Sequence, residues 1–295
     1  MSQVTQRRPF GAVIFGVLVS AITVLFAGPF LRVIRQQYGS FKYWLLAIVY
    51  VASLGFFHQY FLAMSVLLTW LSVGMQKELE LRGWSFFRST TFAIAVALGV
   101  GSVGTDALLF ALGKSWQGLF ADFAGILKQF PAFKEVGSSL ASEWFASQLP
   151  SVAVISMLIG IVVASTAEDT VSQWLGVYQP RSPAKLKLSE FRVRDSYIWV
   201  FLASFALIVM GVGPKLLQMI ATNIVSLSVI LYFLQGLAVT IVFLKVTRAG
   251  FFTRALTVLV IMVGQGLLIL GVLGLVDYWL DFRGRMRRQG SVRDL

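Results

Sequence analysis

The sequence predicts an all-α fold: a polytopic transmembrane helix bundle of about 7–9 spans with an external amphipathic helical segment. Three observations predict it. Of the 295 residues, 57% are hydrophobic and only 13% charged, about half the charged share of a soluble domain. Mean hydropathy is +0.80. Charge is also segregated, with long apolar runs alternating with short polar ones.

The net charge of +12 does not read as a nucleic-acid footprint, because the basic residues sit at the ends of apolar runs. That is where cytoplasmic loops collect Lys and Arg. The expected contact is the lipid bilayer, not nucleic acid. The chain has no Cys and one His. Disulfides, thiolate nucleophiles and Cys-ligated or multi-His metal sites are therefore excluded within it. No metal and no cofactor is expected.

The run from Phe10 to Ile34 is apolar and long, and Gly28-Pro29 makes a poor cleavage site, so it reads as a retained first span. Pro29 is expected to kink its far end. Ala12, Gly16 and Ser20 recur every four residues on one helical face, a spacing that serves close packing within the chain. A basic connector, Arg32 to Lys42, is expected next. Lys42 to Met75 is too long for one span and reads as a tight helical hairpin turning at His58-Gln59. Met75 to Arg88 is a charged connector with Gly83 as helix C-cap.

Ser89 to Leu112 is the next span. It carries Asp106, which is either a functional carboxylate in the membrane or a residue near the outer interface. Lys114 to Leu149 carries two apolar stripes, Leu119 to Phe130 and Phe133 to Trp144, broken by Pro131. It reads as two external amphipathic helices. Pro150 to Tyr178 starts apolar and turns polar near Glu168-Asp169, where the helix is expected to have left the bilayer.

Tyr178 to Asp195 carries Arg181, Lys185, Lys187, Arg192 and Arg194 against Glu190 and Asp195. It is the strongest cytoplasmic marker between spans and a candidate docking surface. Ser196 to Val212 is a span closed by a Gly-Pro turn. Leu216 to Lys245 is again long, with Asn223 and Gln235 inside it. Ala255 to Leu280 is the last span and contains Gln265. Buried Asn and Gln in such helices usually bond to a neighbouring helix. The tail, FRGRMRRQGSVRDL, carries five arginines. Charge alone does not close the topology: with one hairpin the tail falls outside, and a second hairpin at 216–245 returns it inside but moves Lys245 to Arg254 out. Residues 1–295 read as a single integral membrane domain, with 113–149 external, 178–195 a cytoplasmic basic loop and 282–295 a basic tail.

Three segments of the second half carry a resemblance. They are LSEFRVRDSYIWVFLASFAL at Leu188 to Leu207, YFLQGLAVTIVFLKV at Tyr232 to Val246, and LGLVDYWLDFRGR at Leu273 to Arg285. Their specific elements are Phe191-Arg192 before Asp195, the run Gln235-Gly236-Leu237-Ala238, and Asp277, Trp279, Asp281, Phe282 and Arg283. In these the chain resembles the YybS-like family of bacterial multipass membrane proteins, itself distantly similar to S components of energy-coupling-factor transporters. The resemblance implies the bacterial cytoplasmic (inner) membrane, capture of a small molecule, and a membrane or ATP-driven partner protein. No vitamin-pocket residue carries over.

Two functions follow as expectations. One is a small-molecule-binding or transport subunit whose cavity is lined by Asp106, Glu168, Asn223, Gln235 and Gln265. The other is a non-transporting scaffold or assembly protein that docks a cytosolic partner through Arg181, Lys185, Lys187, Arg192 and Arg194. No catalytic residue is assigned: Ser-His, paired-Asp, zinc-hydrolase and nucleotide-loop signatures are all missing from the sequence, so the chain is not expected to be an enzyme.

Overall fold

The computed structural model describes residues 10–22, 24–118, 138–177, 186–250, 253 and 266–293. Among these residues there is helix, turn and irregular chain but no strand. The chain divides into two compact units, Met1–Leu186 and Lys187–Leu295. Four described helices are long and apolar enough to cross a membrane, and two shorter apolar helices join them. This is the architecture of a multi-pass membrane protein.

Unit 1 opens with α1 (Phe10–Ile22), a short 3-10 turn (Val24–Ala27) and α2 (Gly28–Phe56). The expected first span is therefore broken. Pro29 does not kink its end but stands in the first turn of α2. There its fixed φ and missing N–H cost nothing, because first-turn amides have no helical acceptor. The expected basic connector, Arg32 to Lys42, is also helical. Its one interruption is Gly39, at φ 79° and ψ 174°. That backbone is open to glycine and strained for other residues, so the first stretch of α2 can run in a different direction from the rest.

The hairpin turn lies where the apolar length demands it. Helix α2 ends at Phe56 and α3 (Tyr60–Leu81) begins after His58 at φ 57°. Tyr43 of α2 packs flat against Trp70 of α3 with ring centroids 5.4 Å apart, and its hydroxyl donates to the Trp70 carbonyl at 2.7 Å. Helix α3 continues to Leu81, so the expected connector from Met75 shrinks to four residues. Gly83, at φ 84°, closes the helix as predicted: its N–H reaches Glu80 O, and Trp84 N–H reaches Leu79 O. That pair of bonds satisfies the last carbonyls of α3.

Helix α4 (Phe86–Ala111) follows, and then α5 (Ser138–Trp174). The expected amphipathic pair at 113–149 falls largely on 119–137, outside the described residues. From Ser138 onward the chain is helical. Pro150 sits inside α5, which runs 37 residues without ending there. A proline removes one backbone bond, and a long helix packed on its neighbours tolerates that loss. The small-residue face of α1 is spent inside the unit. Gly16 lies against Ile34, Phe30 and Leu31, and Ser20 accepts from Trp70 Nε1 at 3.2 Å.

Unit 2 comprises a loop with a 3-10 turn (Leu188–Glu190), then α6 (Tyr197–Met210), α7 (Lys215–Val246), α8 (Gly266–Leu280) and α9 (Phe282–Arg293). Helices α6 and α7 join through Gly211 and Gly213, both at positive φ. Gln218 of α7 closes the turn by donating to both of their carbonyls. The second hairpin considered for 216–245 does not form, since α7 is one helix of 32 residues. Helices α7 and α8 meet on two glycines. A Cβ on Gly236 would stand 1.9 Å from Leu270 O, and one on Gly274 would stand 1.9 Å from Tyr232 O. No residue with a side chain fits either position.

Candidate functional site

Helix α2 enters unit 1 with Arg32 fully buried. An unpaired guanidinium in an apolar bundle is costly, so it must find acceptors. It finds them on two other helices. Nε donates to Glu168 Oε2 of α5 at 2.8 Å, Nη2 to Glu80 Oε2 of α3 at 2.6 Å, and Nη1 to Gln76 Oε1 of α3. Lys77 of α3 adds a second cation. Its Nζ lies 3.3 Å from Glu80 Oε1 and 2.8 Å from Glu168 Oε1, the latter an ionic contact off the hydrogen-bond line. Gln76 Nε2 reaches Glu80 Oε2 and Ser89 Oγ of α4, both at 3.4 Å.

Two cations and two anions thus balance inside one end of the bundle. Arg32, Lys77, Glu80 and Glu168 are each 2% exposed or less. The sequence explains how α3 supplies three members. Gln76 and Glu80 stand four residues apart and Lys77 and Glu80 three apart, so all project toward one side of the helix.

A second, shallower group flanks it. Glu78, beyond the apolar stretch of α3, accepts from Arg35, from Ser40 Oγ at 3.1 Å and from Arg82 at 3.1 Å. Burial works to raise the Glu78 carboxyl, but the Arg35 guanidinium, with Ser40 and Arg82, holds it below its ordinary value.

The predicted lining residues fall in both units. Glu168 is in the network. Asp106 is exposed near the far end of α4, where its Oδ1 accepts from Trp116 Nε1 at 2.6 Å. From Ser89 at the network to Asp106 is about 25 Å along the helix. In unit 2, Asn223 is half-buried and donates to Met219 O of its own helix at 2.8 Å. Gln235 is buried and bridges two elements, accepting from Val193 N–H at 2.9 Å and donating to Gly274 O at 2.9 Å. Gln265 lies outside the described residues.

Of the docking candidates, Arg181 and Lys185 also lie outside the described residues, and Lys187, Arg192 and Arg194 are exposed. Lys187 pairs with Glu190 at 3.4 Å and Arg192 with Asp195 at 3.3 Å. The loop that carries them is held from below. Phe191 and Val193 are buried, and Arg283 Nη1 donates to Phe191 O at 2.7 Å while pairing with buried Asp277 at 2.8 Å.

The three resembling segments therefore meet in unit 2 through Phe191, Gln235, Asp277 and Arg283. The chain matches the family described as "Predicted membrane protein (DUF2232)" over residues 11–278. It belongs to this DUF2232 family. No curated protein and no solved structure matches it. In this DUF2232 member, sequence reasoning found Glu168 but not its partners Arg32, Gln76, Lys77 and Glu80. The available signal was Arg32 between apolar neighbours and the close packing of opposite charges in QKELE.

Proposed function

We propose that the protein is a small-molecule-binding or transport subunit of the bacterial cytoplasmic membrane, with no enzymatic chemistry of its own, working with a membrane or ATP-driven partner. The observation that carries the reading is the electroneutral network of Arg32, Lys77, Glu80 and Glu168, buried where α2, α3, α4 and α5 converge. Charges inside a membrane bundle are expensive, and they mark solute and ion pathways by default. A bundle that served only as an anchor would be more stable with apolar residues of the same volume at these positions. The resemblance to YybS-like proteins, and through them to S components, points the same way.

The test is ligand-dependent stabilisation of the purified chain across vitamins, nucleobases and metal ions. Tight binding by one class raises the melting temperature in proportion to its saturation. A flat response across the panel counts against the reading.

One observation favours the scaffold alternative: Arg192 and Arg194 project from a loop whose backbone is fixed by Gln235 and Arg283. For that reading, a co-purifying partner should be lost when Arg192 and Arg194 are neutralised together with Arg181, Lys185 and Lys187.

A further inference from the structure

Helix α2 divides at Gly39 into two stretches with different anchorage. Residues 28–38 are firmly held. Leu31, Arg32 and Val33 are 0% exposed, and a Cβ on Gly28 would stand 2.7 Å from that of Ala164 and 3.0 Å from Gly160 O of α5. In residues 40–56 only Tyr43 and Ala47 are buried, while Leu45, Ile48 and Val49 are more than half exposed. The joint between the stretches has room to turn. Gly39, at φ 79° and ψ 174°, occupies a region of backbone essentially limited to glycine, and a Cβ there would meet nothing within 4 Å. Backbone rather than crowding therefore requires the glycine, and no neighbour wedges the joint. At its other end the second stretch stops at a left-handed joint, the exposed His58 at φ 57°.

We propose that residues 40–56 form a hinged strap that swings away from α3 about Gly39 and His58, and that contacts of Ser40, Tyr43 and Tyr50 latch it shut. Ser40 Oγ donates to Glu78 Oε2 at 3.1 Å, Tyr43 OH to Trp70 O at 2.7 Å and Tyr50 OH to Val17 O at 3.1 Å. Glu78 spans the joint, because the same oxygen also accepts from Arg35 on the anchored side. Opening breaks the Ser40 bond and leaves the Arg35 bond in place, so α3 keeps hold of residues 28–38 throughout. Tyr43 is the main catch. It is 0% exposed, and its ring lies so close to Gly74 that a Cβ there would overlap it. Single hydrogen bonds and one seated ring are restraints that a minor open state can break, whereas the buried ion pairs of Arg32 are not. The hinge end of the strap lies beside the buried network, since Glu78 stands two residues from both Gln76 and Glu80. In the transport reading the strap is the moving part that uncovers the network, but the motion itself does not rest on that reading.

The test uses the full chain in lipid nanodiscs and needs no solute. The absence of native Cys allows clean spin-label pairs on exposed sites. The reporting pair is Ile48→Cys on the strap with Val103→Cys on α4, at sites 65% and 69% exposed. A second pair, Phe41→Cys with Phe56→Cys, spans the strap itself. The native chain should give one dominant separation for the reporting pair. Removing the latch together, as Ser40→Ala with Tyr43→Phe and Tyr50→Phe, should raise the share of longer separations about tenfold or more. Gly74→Ala, which expels the Tyr43 ring, should do the same by a separate route, and the triple variant decides the matter if Gly74→Ala folds poorly. The pair within the strap should keep its separation in every variant. A reporting pair that ignores the loss of the latch overturns the proposal. So does a strap pair that broadens along with it, because that is local unfolding and not a hinge. A chain that shows the hinge but binds nothing in the panel above keeps the strap and loses the transport reading.

Discussion

At the scale of single residues, Arg32 is the side chain on which most depends. All three of its nitrogens are used, on partners from two helices. Replacing it with Met leaves Glu168 and Glu80 in excess over Lys77, and a broken buried ion pair costs about 3–5 kcal/mol. Thermal melts in detergent should show the loss, while an exposed control such as Arg194→Gln should stay within about 0.5 kcal/mol of the native protein.

Glu78 contributes to the pH dependence of stability. Its folded-state pKa lies below the unfolded value, so the stability it supplies is present above the unfolded carboxylate pKa. That stability is lost as pH falls through the lower, folded value. Melting temperature against pH should therefore decline on the acid side, and the decline should be shallower in Glu78→Gln. Equal slopes in the two proteins would remove Glu78 from the account.

At the scale of elements, glycine sets two geometries. The crossing of α7 on α8 leaves no room at Gly236 or Gly274, where an added Cβ meets backbone oxygen, which does not yield. Gly236→Ala and Gly274→Ala should each destabilise unit 2 by at least the roughly 1–3 kcal/mol of an overpacked core. Gly271→Ala, whose nearest such contact is 3.9 Å, should be close to neutral.

The α2–α3 hairpin makes a topological prediction. His58 and Gly83 cap opposite ends of α3, about 33 Å apart for its 22 residues. Introduced singly into this cysteine-free chain, His58→Cys and Gly83→Cys should be modified by a membrane-impermeant thiol reagent from opposite faces of the membrane. The hairpin was legible because an apolar run of that length exceeds a bilayer and must turn, and His58-Gln59 is its most polar point. The continuous course of α5 through Pro150 was not legible. Proline at that place breaks most soluble helices, and only packing against neighbours reveals that this one continues.

At the scale of the whole molecule, membership of a multi-pass family was readable from composition and charge segregation alone, because a bilayer imposes length and apolarity on every span. The network was not readable for the opposite reason. Arg32 and Glu168 are separated by 136 positions, and no local periodicity links them. Arg32 looked like the start of a basic loop, since basic residues ordinarily end spans. Glu168 looked like a helix leaving the membrane. Only folding shows that each neutralises the other. Gln235, a candidate ligand group, accepts from Val193 N–H and donates to Gly274 O. Unit 1 thus holds Arg32, Lys77, Glu80 and Glu168 in a balanced set, and unit 2 uses Gln235, Asp277 and Arg283 to fix a basic loop.

The most direct test of the network is a double-mutant cycle on Arg32 and Glu168. The singles Arg32→Met and Glu168→Met each strand a buried partner, whereas the double removes one charge of each sign and leaves Lys77 paired with Glu80. The account predicts a double mutant more stable than the sum of the singles, with a coupling of about 2–3 kcal/mol. Additive effects would contradict it, because they would mean that Arg32 and Glu168 do not sense each other.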